Sequence, residues 1–146
     1  MRIIKQTRDT LSETYKDALA IRYAVFVREQ GVPYTLEVAS AIDEAAAVHF
    51  VLYDNAVAAG TVRLLTREDV SLVQRMAVSA DKRGQGIADE LLSAVIDFAR
   101  ADNIPTLTLH AQLTALGLYE RFGFAPFGNV FVEAGIQHIE MKKKIS

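Results

Sequence analysis

Arg83-Gly84-Gln85-Gly86-Ile87-Ala88 is the stretch best suited to chemistry, because a turn of this make-up can hold an anion. Its two glycines can adopt positive φ and let a ligand approach the backbone closely. A helix that starts at the turn aims unpaired N–H groups and its positive dipole end at the occupant. Lys82 and Arg83 add full positive charge, and phosphate is the natural partner. The Gly-Lys-Ser/Thr ending of a nucleotide P-loop is missing, so no side chain is placed on the magnesium of a nucleoside triphosphate. The third glycine of a dinucleotide fingerprint is missing too, and no acid follows at the usual interval. A tight strand-to-helix turn, with glycines there for backbone reasons alone, explains the hexapeptide about as well.

Groups able to move protons are scattered. With no cysteine, a thiolate nucleophile, a disulfide framework and a zinc–thiolate site are all excluded. No two of the three histidines have zinc-motif spacing with a supporting acid, so no metal is expected. His49, among Val48, Phe50 and Val51, reads as a hydrogen-bonded structural residue. His110 ends a strand, where it serves either structure or an incoming substrate, and His138 is equally ambiguous. Glu37, Asp43 and Glu44 lie in an irregular segment, where a solvated loop acid is the plain alternative to a base.

The elements that must position these residues follow from hydrophobic period. Arg2 to Gln6 reads as a first strand, and Ser12 to Val27 as a helix capped by Ser12. Glu29 to Glu44 is broken by Gly31 and Pro33, with room for a second short helix. Ala46 to Tyr53 and Val57 to Leu65 form a hairpin around Asp54-Asn55, and Val70 to Val78 is a fourth strand. Ile87, Leu91, Val95 and Phe98 stripe a helix over Gly86 to Arg100. Thr106 to Leu109 is a fifth strand, Leu113 to Phe122 a helix stopped by Gly123, and Phe124 to Phe131 and Ile136 to Lys143 the last strands. Such an order predicts one α/β domain over residues 1–146, a mixed sheet covered by helices on both faces.

Arg83-x-x-Gly86-x-Ala88 resembles the Arg/Gln-x-x-Gly-x-Gly/Ala signature of the GNAT superfamily of N-acetyltransferases. The block Gln112-x-x-Ala115-x-x-Leu118-Tyr119-Glu120-Arg121-Phe122-Gly123-Phe124 is similar to that family's later motif. Arg22 to Pro33 and Glu133 to Met141 resemble its small bacterial ElaA/YjcF-like branch. The resemblance implies a mostly antiparallel sheet of six to seven strands, splayed between strands 4 and 5. It also implies acetyl-coenzyme A as co-substrate and an amine as acceptor. Met76, Ala77 and Val78 would form the edge that receives the pantetheine arm, with an N–H of Ala77 or Val78 on the developing oxyanion. Gly84, Gln85, Gly86, Ile87 and Ala88 would hold the phosphates together with Arg83, and Gln112 would contact the pantetheine or the acceptor.

In the same frame Tyr119 protonates the departing thiolate, although by itself it reads as a packed helix aromatic. Gln74 occupies a position where relatives carry a glutamate base, and an amide cannot take a proton. The base then falls to Glu37, Asp43 or Glu44, or to ordered water, and Ala39 removes a second acid expected in that segment. Arg22, Phe26, Gln74 and His110 would border the acceptor. Two further functions stay open: a coenzyme A-responsive regulatory domain without turnover, and an acyl-homoserine-lactone synthase-like transferase. The second is disfavoured by the absence of tryptophan. Homodimers are common in the family, but no residue pattern here marks an interface.

Composition sets the remaining bounds. A net charge of −2 gives no general attraction to nucleic acid or to anionic membrane. No stretch approaches the ~20 apolar residues of a membrane span, and residues 1–10 have no signal-peptide pattern, so a cytoplasmic location is expected.

Overall fold

A computed structural model describes residues 1–37 and 40–145, with the side chains of Leu36 and Glu37 outside that description. Seven strands form one sheet in the order β1-β2-β3-β4-β5-β7-β6. They are β1 (Arg2–Thr7), β2 (Val48–Asp54), β3 (Val57–Arg67), β4 (Val70–Val78), β5 (Thr106–Gln112), β6 (Ala125–Glu133) and β7 (Ile136–Lys144). Every pairing is antiparallel except β4 with β5. The β2–β3 hairpin closes one residue later than the expected Asp54-Asn55, through Asn55 and Ala56 at φ 50° and 70°, the left-handed pair a two-residue hairpin turn needs.

Helices cover both faces. α4 (Ile87–Ala101) lays Ile87, Leu91, Val95 and Ala99 against Phe50, Leu52, Val62 and Leu64, all buried. Gly60 sits where β3 meets this helix, and a Cβ there would stand 2.7 Å from Ile87 Cγ2 and 3.0 Å from Leu91 Cδ1. On the other face α1 (Glu13–Arg22) presents Ala18 and Ile21 to Val51 and Ala77. Ser12 caps it, its hydroxyl accepting from the Tyr15 N–H at 3.2 Å. Among the described residues no helix is long and apolar enough to cross a membrane.

Four differences from the sequence reading affect the site. The first helix does not run as one α-helix to Val27; it widens into a π-helix over Tyr23–Glu29. The Gln30 N–H reaches the Val25 carbonyl five residues back, at 3.1 Å. Glu29 to Glu44 contains two short helices, α2 (Tyr34–Glu37) and α3 (Ala41–Ala46). The fifth strand extends past Leu109 to Gln112, because β7 pairs with it as far as Gln112↔His138. The expected Leu113–Phe122 helix is a 3-10 turn over Leu113–Ala115 followed by α5 (Leu116–Arg121).

The expected splay between strands 4 and 5 is present, and its cause is local. β4 and β5 pair only where Ser71, Leu72 and Val73 meet Leu107, Thr108 and Leu109. On the β3 side the register jumps from Arg63↔Gln74 to Thr61↔Ala77, so Arg75 and Met76 together oppose Val62. Arg75 takes φ 58° to make this bulge, and β4 bends away from β5 beyond it.

Candidate active site

Beyond the bulge, the end of β4, the π-helix, the start of α4 and the helix after β5 enclose a groove of about 510 Å³. Met76, Ala77 and Val78 form one wall, and Lys82, Gly84, Gly86 and Ala88 surround its mouth. Gly84 and Gly86 have φ 76° and 78°, and no atom lies within 4 Å of where their Cβ atoms would stand. Gly86 is the N-cap of α4 and supplies no side-chain cap, so the first N–H groups of a fifteen-residue helix are left for a ligand. An open backbone cradle at a helix N-terminus fits a pyrophosphate. Gln85 sits exposed at the crest of the same turn.

The charges at this mouth are not all available. Arg83 donates to both carboxylate oxygens of Glu29, at 2.9 and 2.8 Å, and its Nε donates to the Val78 carbonyl at 3.2 Å. In this arrangement its side chain ties the end of the π-helix to the glycine turn. Arg121 is held by Asp89 at 2.8 Å. Lys82 has no carboxylate partner among the described residues. A second tie crosses the split, where Gln112 Nε2 donates to Gln30 Oε1 at 3.1 Å.

Strand alternation decides which β4 amides face the split. The Ser79 N–H donates to the Ala59 carbonyl on the β3 side at 2.9 Å. The Val78 N–H therefore faces the opposite edge, toward the groove, and that of Ala77 turns back to β3. Of the two candidates for the oxyanion donor, the geometry favours Val78.

Tyr119 lies in α5, with its ring edge-on to Phe124 at 6.1 Å. Its hydroxyl has no hydrogen-bond partner among the described residues. No fully buried side-chain polar atom lacks a partner there, so the hydroxyl keeps some contact with solvent. Burial pushes the phenol pKa up to about 12 and keeps it a protonated acid. The neighbours Leu118 and Arg121 line the groove.

The α1 face of the sheet carries a buried ionic cluster that sequence reading did not assemble. The Glu44 carboxylate accepts from Tyr15 Oη and Arg22 Nη1, each at 2.7 Å, and from Arg63 Nη1. Burial by itself would raise its pKa. The Arg22 charge, the Tyr15 and Arg22 hydrogen bonds and the Arg63 charge outweigh that and hold the carboxyl below its usual value. His49 Nε2 donates to the Glu44 carbonyl at 2.8 Å and is structural, as expected; burial keeps its pKa low. Arg63 also donates to Gln74 Oε1, through Nε at 3.1 Å and Nη2 at 2.7 Å.

Several expected site residues are elsewhere. Arg22, expected at the acceptor, is 1% exposed and bound to Glu44, so it supports the site from behind. Asp43, expected as a base, bonds to Arg67 at the end of β3 beside Val70. That end lies roughly 20 Å along β4 from Met76 at about 3.3 Å per residue. Glu44, weighed with it, is too well stabilised as an anion to accept a proton readily. Glu37 ends α2, but its side chain, like all of Ala39, lies outside the described residues. Phe26 is half-buried beside Val51 and Ala77. Lys82 is at the groove with Arg83, as the turn predicts, whereas Glu29, Gln30 and Arg121 are brought to it only by the folded chain.

The sequence pattern described as Acetyltransferase (GNAT) domain matches residues 12–145. The uncharacterized N-acetyltransferase YjcF of Bacillus subtilis (strain 168) is 30% identical over 132 residues, covering 90% of this chain and 93% of that protein. The crystal structure of Escherichia coli ElaA superposes with a TM-score of 0.85 at 26% identity, over 98% of this chain and 99% of that one. An acyl-CoA N-acyltransferase from Pseudomonas aeruginosa gives 0.86 at 25% identity, again over 98% and 99%. With a family pattern over nearly its whole length, and a sheet split at β4–β5 above an open helix N-terminus, the chain belongs to the GNAT family of acetyltransferases.

Proposed function

We propose that this protein moves an acetyl group from acetyl-coenzyme A to a primary amine by direct attack in a ternary complex. The observation that carries the reading is the groove itself, which joins the uncapped α4 N-terminus to the unpaired edge of β4. Backbone amides from Gly84 to Ala88, with Lys82, are the groups suited to the phosphates, and the edge from Met76 to Val78 to the pantetheine arm. Coenzyme A supplies an acyl carbonyl activated as a thioester. The Val78 N–H is aimed to stabilise charge on that oxygen, and Tyr119 is a neutral acid suited to the leaving sulfur. The chain has no cysteine to carry an acyl group, which supports direct transfer. The acceptor enters from the α1 face, where Gln74 and Phe26 lie. Residues 1–146 act as one catalytic unit in the cytoplasm.

Calorimetric titration with acetyl-coenzyme A, against dephospho-coenzyme A and S-adenosylmethionine, tests the reading. Phosphate-dependent binding followed by amine-dependent thiol release supports it. A folded sample that binds none of the coenzyme A forms refutes it.

A further inference from the structure

The acceptor amine must lose a proton, and the usual strand position cannot take it. Gln74 Oε1 is occupied by two donors of Arg63, so its free polar group is the amide N–H₂, a donor. Glu44 is bound by two guanidiniums and a phenol, Asp43 lies at the far end of the sheet, and Tyr119 is an acid. Among the described side chains, one imidazole stands at the point where the sheet opens. Leu109 is the last residue of β5 paired with β4, opposite Val73, so His110 is the first residue beyond, beside Gln74. Leu109 and Ala111 are buried in the α4-side core, and alternation turns His110 to the α1 face shared by Arg63 and Gln74.

The surroundings of this ring define its two nitrogens. Nδ1 lies 3.0 Å from Glu133 Oε2 on β6, a hydrogen bond. Nε2 is 3.8 Å from Glu140 Oε1 on β7, too far for one. Phe131 stands edge-on to the imidazole at 5.1 Å and fixes its plane. The side chain keeps 33% of its exposure. Nδ1–H donated to a carboxylate leaves the Nε2 lone pair open, the arrangement of an oriented base.

We infer that His110 is the general base of acyl transfer and that Glu133 is its positioning residue, an assignment that rests on the reaction proposed above. The amine nitrogen bonds to the acyl carbon and the carbon–sulfur bond breaks. The proton leaving nitrogen passes to His110 Nε2, and the thiolate takes the Tyr119 proton. Exchange of one proton with water then restores both residues. The charged and titratable groups around the ring are Glu133 on β6 and Glu140, His138 and Lys142 on β7; β4 presents the uncharged Gln74, with Arg63 behind it.

The test is thiol release from acetyl-coenzyme A by the full chain, with a panel of primary alkyl amines and with hydroxylamine, which is already largely neutral near pH 7. His110→Gln should lower kcat with alkyl amines about 100-fold or more and flatten the acidic limb of the kcat/KM profile. The loss with hydroxylamine should be smaller, and acetyl-coenzyme A affinity by calorimetry should not change. Glu133→Gln should lower kcat about tenfold and leave the amine KM in place. His110→Asn keeps a donor to Glu133 and serves if the glutamine variant folds poorly. A folded His110 variant within threefold of wild type, with the same pH profile, overturns the assignment and makes the ring a structural tie between β5, β6 and β7. Wild-type protein that binds acetyl-coenzyme A yet releases no thiol with any nucleophile refutes the transfer reaction, and the assignment falls with it.

Discussion

Glu44→Gln is the sharpest perturbation of this structure. The wild-type carboxylate is the counter-charge shared by Arg22 and Arg63, whose side chains are 1% and 7% exposed. An amide keeps one acceptor oxygen but removes the charge, leaving two guanidiniums confined together in a poorly solvated space. Breaking a buried pair from one side costs about 3–5 kcal/mol, and the retained oxygen argues for the lower end, about 3 kcal/mol. At about 2–4 °C per kcal/mol for a domain near this size, the Tm should fall by roughly 6–12 °C. Urea unfolding should show the same loss as a shift in midpoint with an unchanged slope. The pH dependence has a definite sign. The folded pKa of Glu44 is depressed, so its contribution is present above the unfolded value of about 4.3 and is lost as pH falls through the folded value. The gap between wild type and Glu44→Gln should therefore be full at neutral pH and close in acid. A neutral-pH difference below about 1 kcal/mol, or a gap that persists unchanged into acid, would show that the cluster is not held by this carboxylate. Arg63 also fixes Gln74, so the same variant should raise the acceptor KM.

Lys82→Ala should weaken acetyl-coenzyme A binding by about 1 kcal/mol or more, roughly five- to tenfold by calorimetry. Arg83→Ala should cost less, because its guanidinium is occupied by Glu29; a larger loss at Arg83 than at Lys82 would reverse the assignment of the phosphate cation. Glu29→Gln should leave stability within about 1 kcal/mol, since the pair is half exposed, and should tighten coenzyme binding a few-fold by freeing Arg83, whereas unchanged or weaker binding counts against competition at that guanidinium. Tyr119→Phe keeps the ring against Phe124 and should lower kcat about 100-fold at constant acetyl-coenzyme A affinity, while full turnover at saturating amine removes its acid role. Gly60→Ala should destabilise by about 1–3 kcal/mol in thermal unfolding, because its Cβ would stand 2.7 Å from Ile87 and 3.0 Å from Leu91; a neutral effect would mean that α4 can shift freely on β3.

The features legible in the sequence are those that neighbours along the chain determine. The α4 stripe is a matter of period, the glycine turn of backbone freedom, and the β2–β3 hairpin of local turn chemistry, so each could be read from contiguous residues. The end of the first helix could not. A π-turn adds one residue to a turn and shifts the apolar stripe by a single position, which a periodic pattern absorbs without a break. The bulge at Arg75 was hidden for a similar reason. Its effect is a change of register against β3, and the sequence of β4 alone contains no register.

Side-chain roles were least legible where two distant segments meet. Arg83 carries the right charge at the right turn, yet Glu29, fifty-four positions earlier, occupies its guanidinium. Lys82, one residue before, has no such partner among the described residues, and no local rule distinguishes the two. The same holds for proton transfer. Gln74 in place of a carboxylate suggests a site without a base when β4 is considered alone. Across the sheet, however, Arg63 turns that amide into a fixed donor, and the adjoining strand presents His110 one step past the last β4–β5 pair. Loss of a carboxylate on one strand and gain of a carboxylate-backed imidazole on the next would conserve the function while moving it. That is why the pH profile of His110→Gln, more than the binding of any cofactor, decides whether this active site follows the usual division of labour or has exchanged one strand for another.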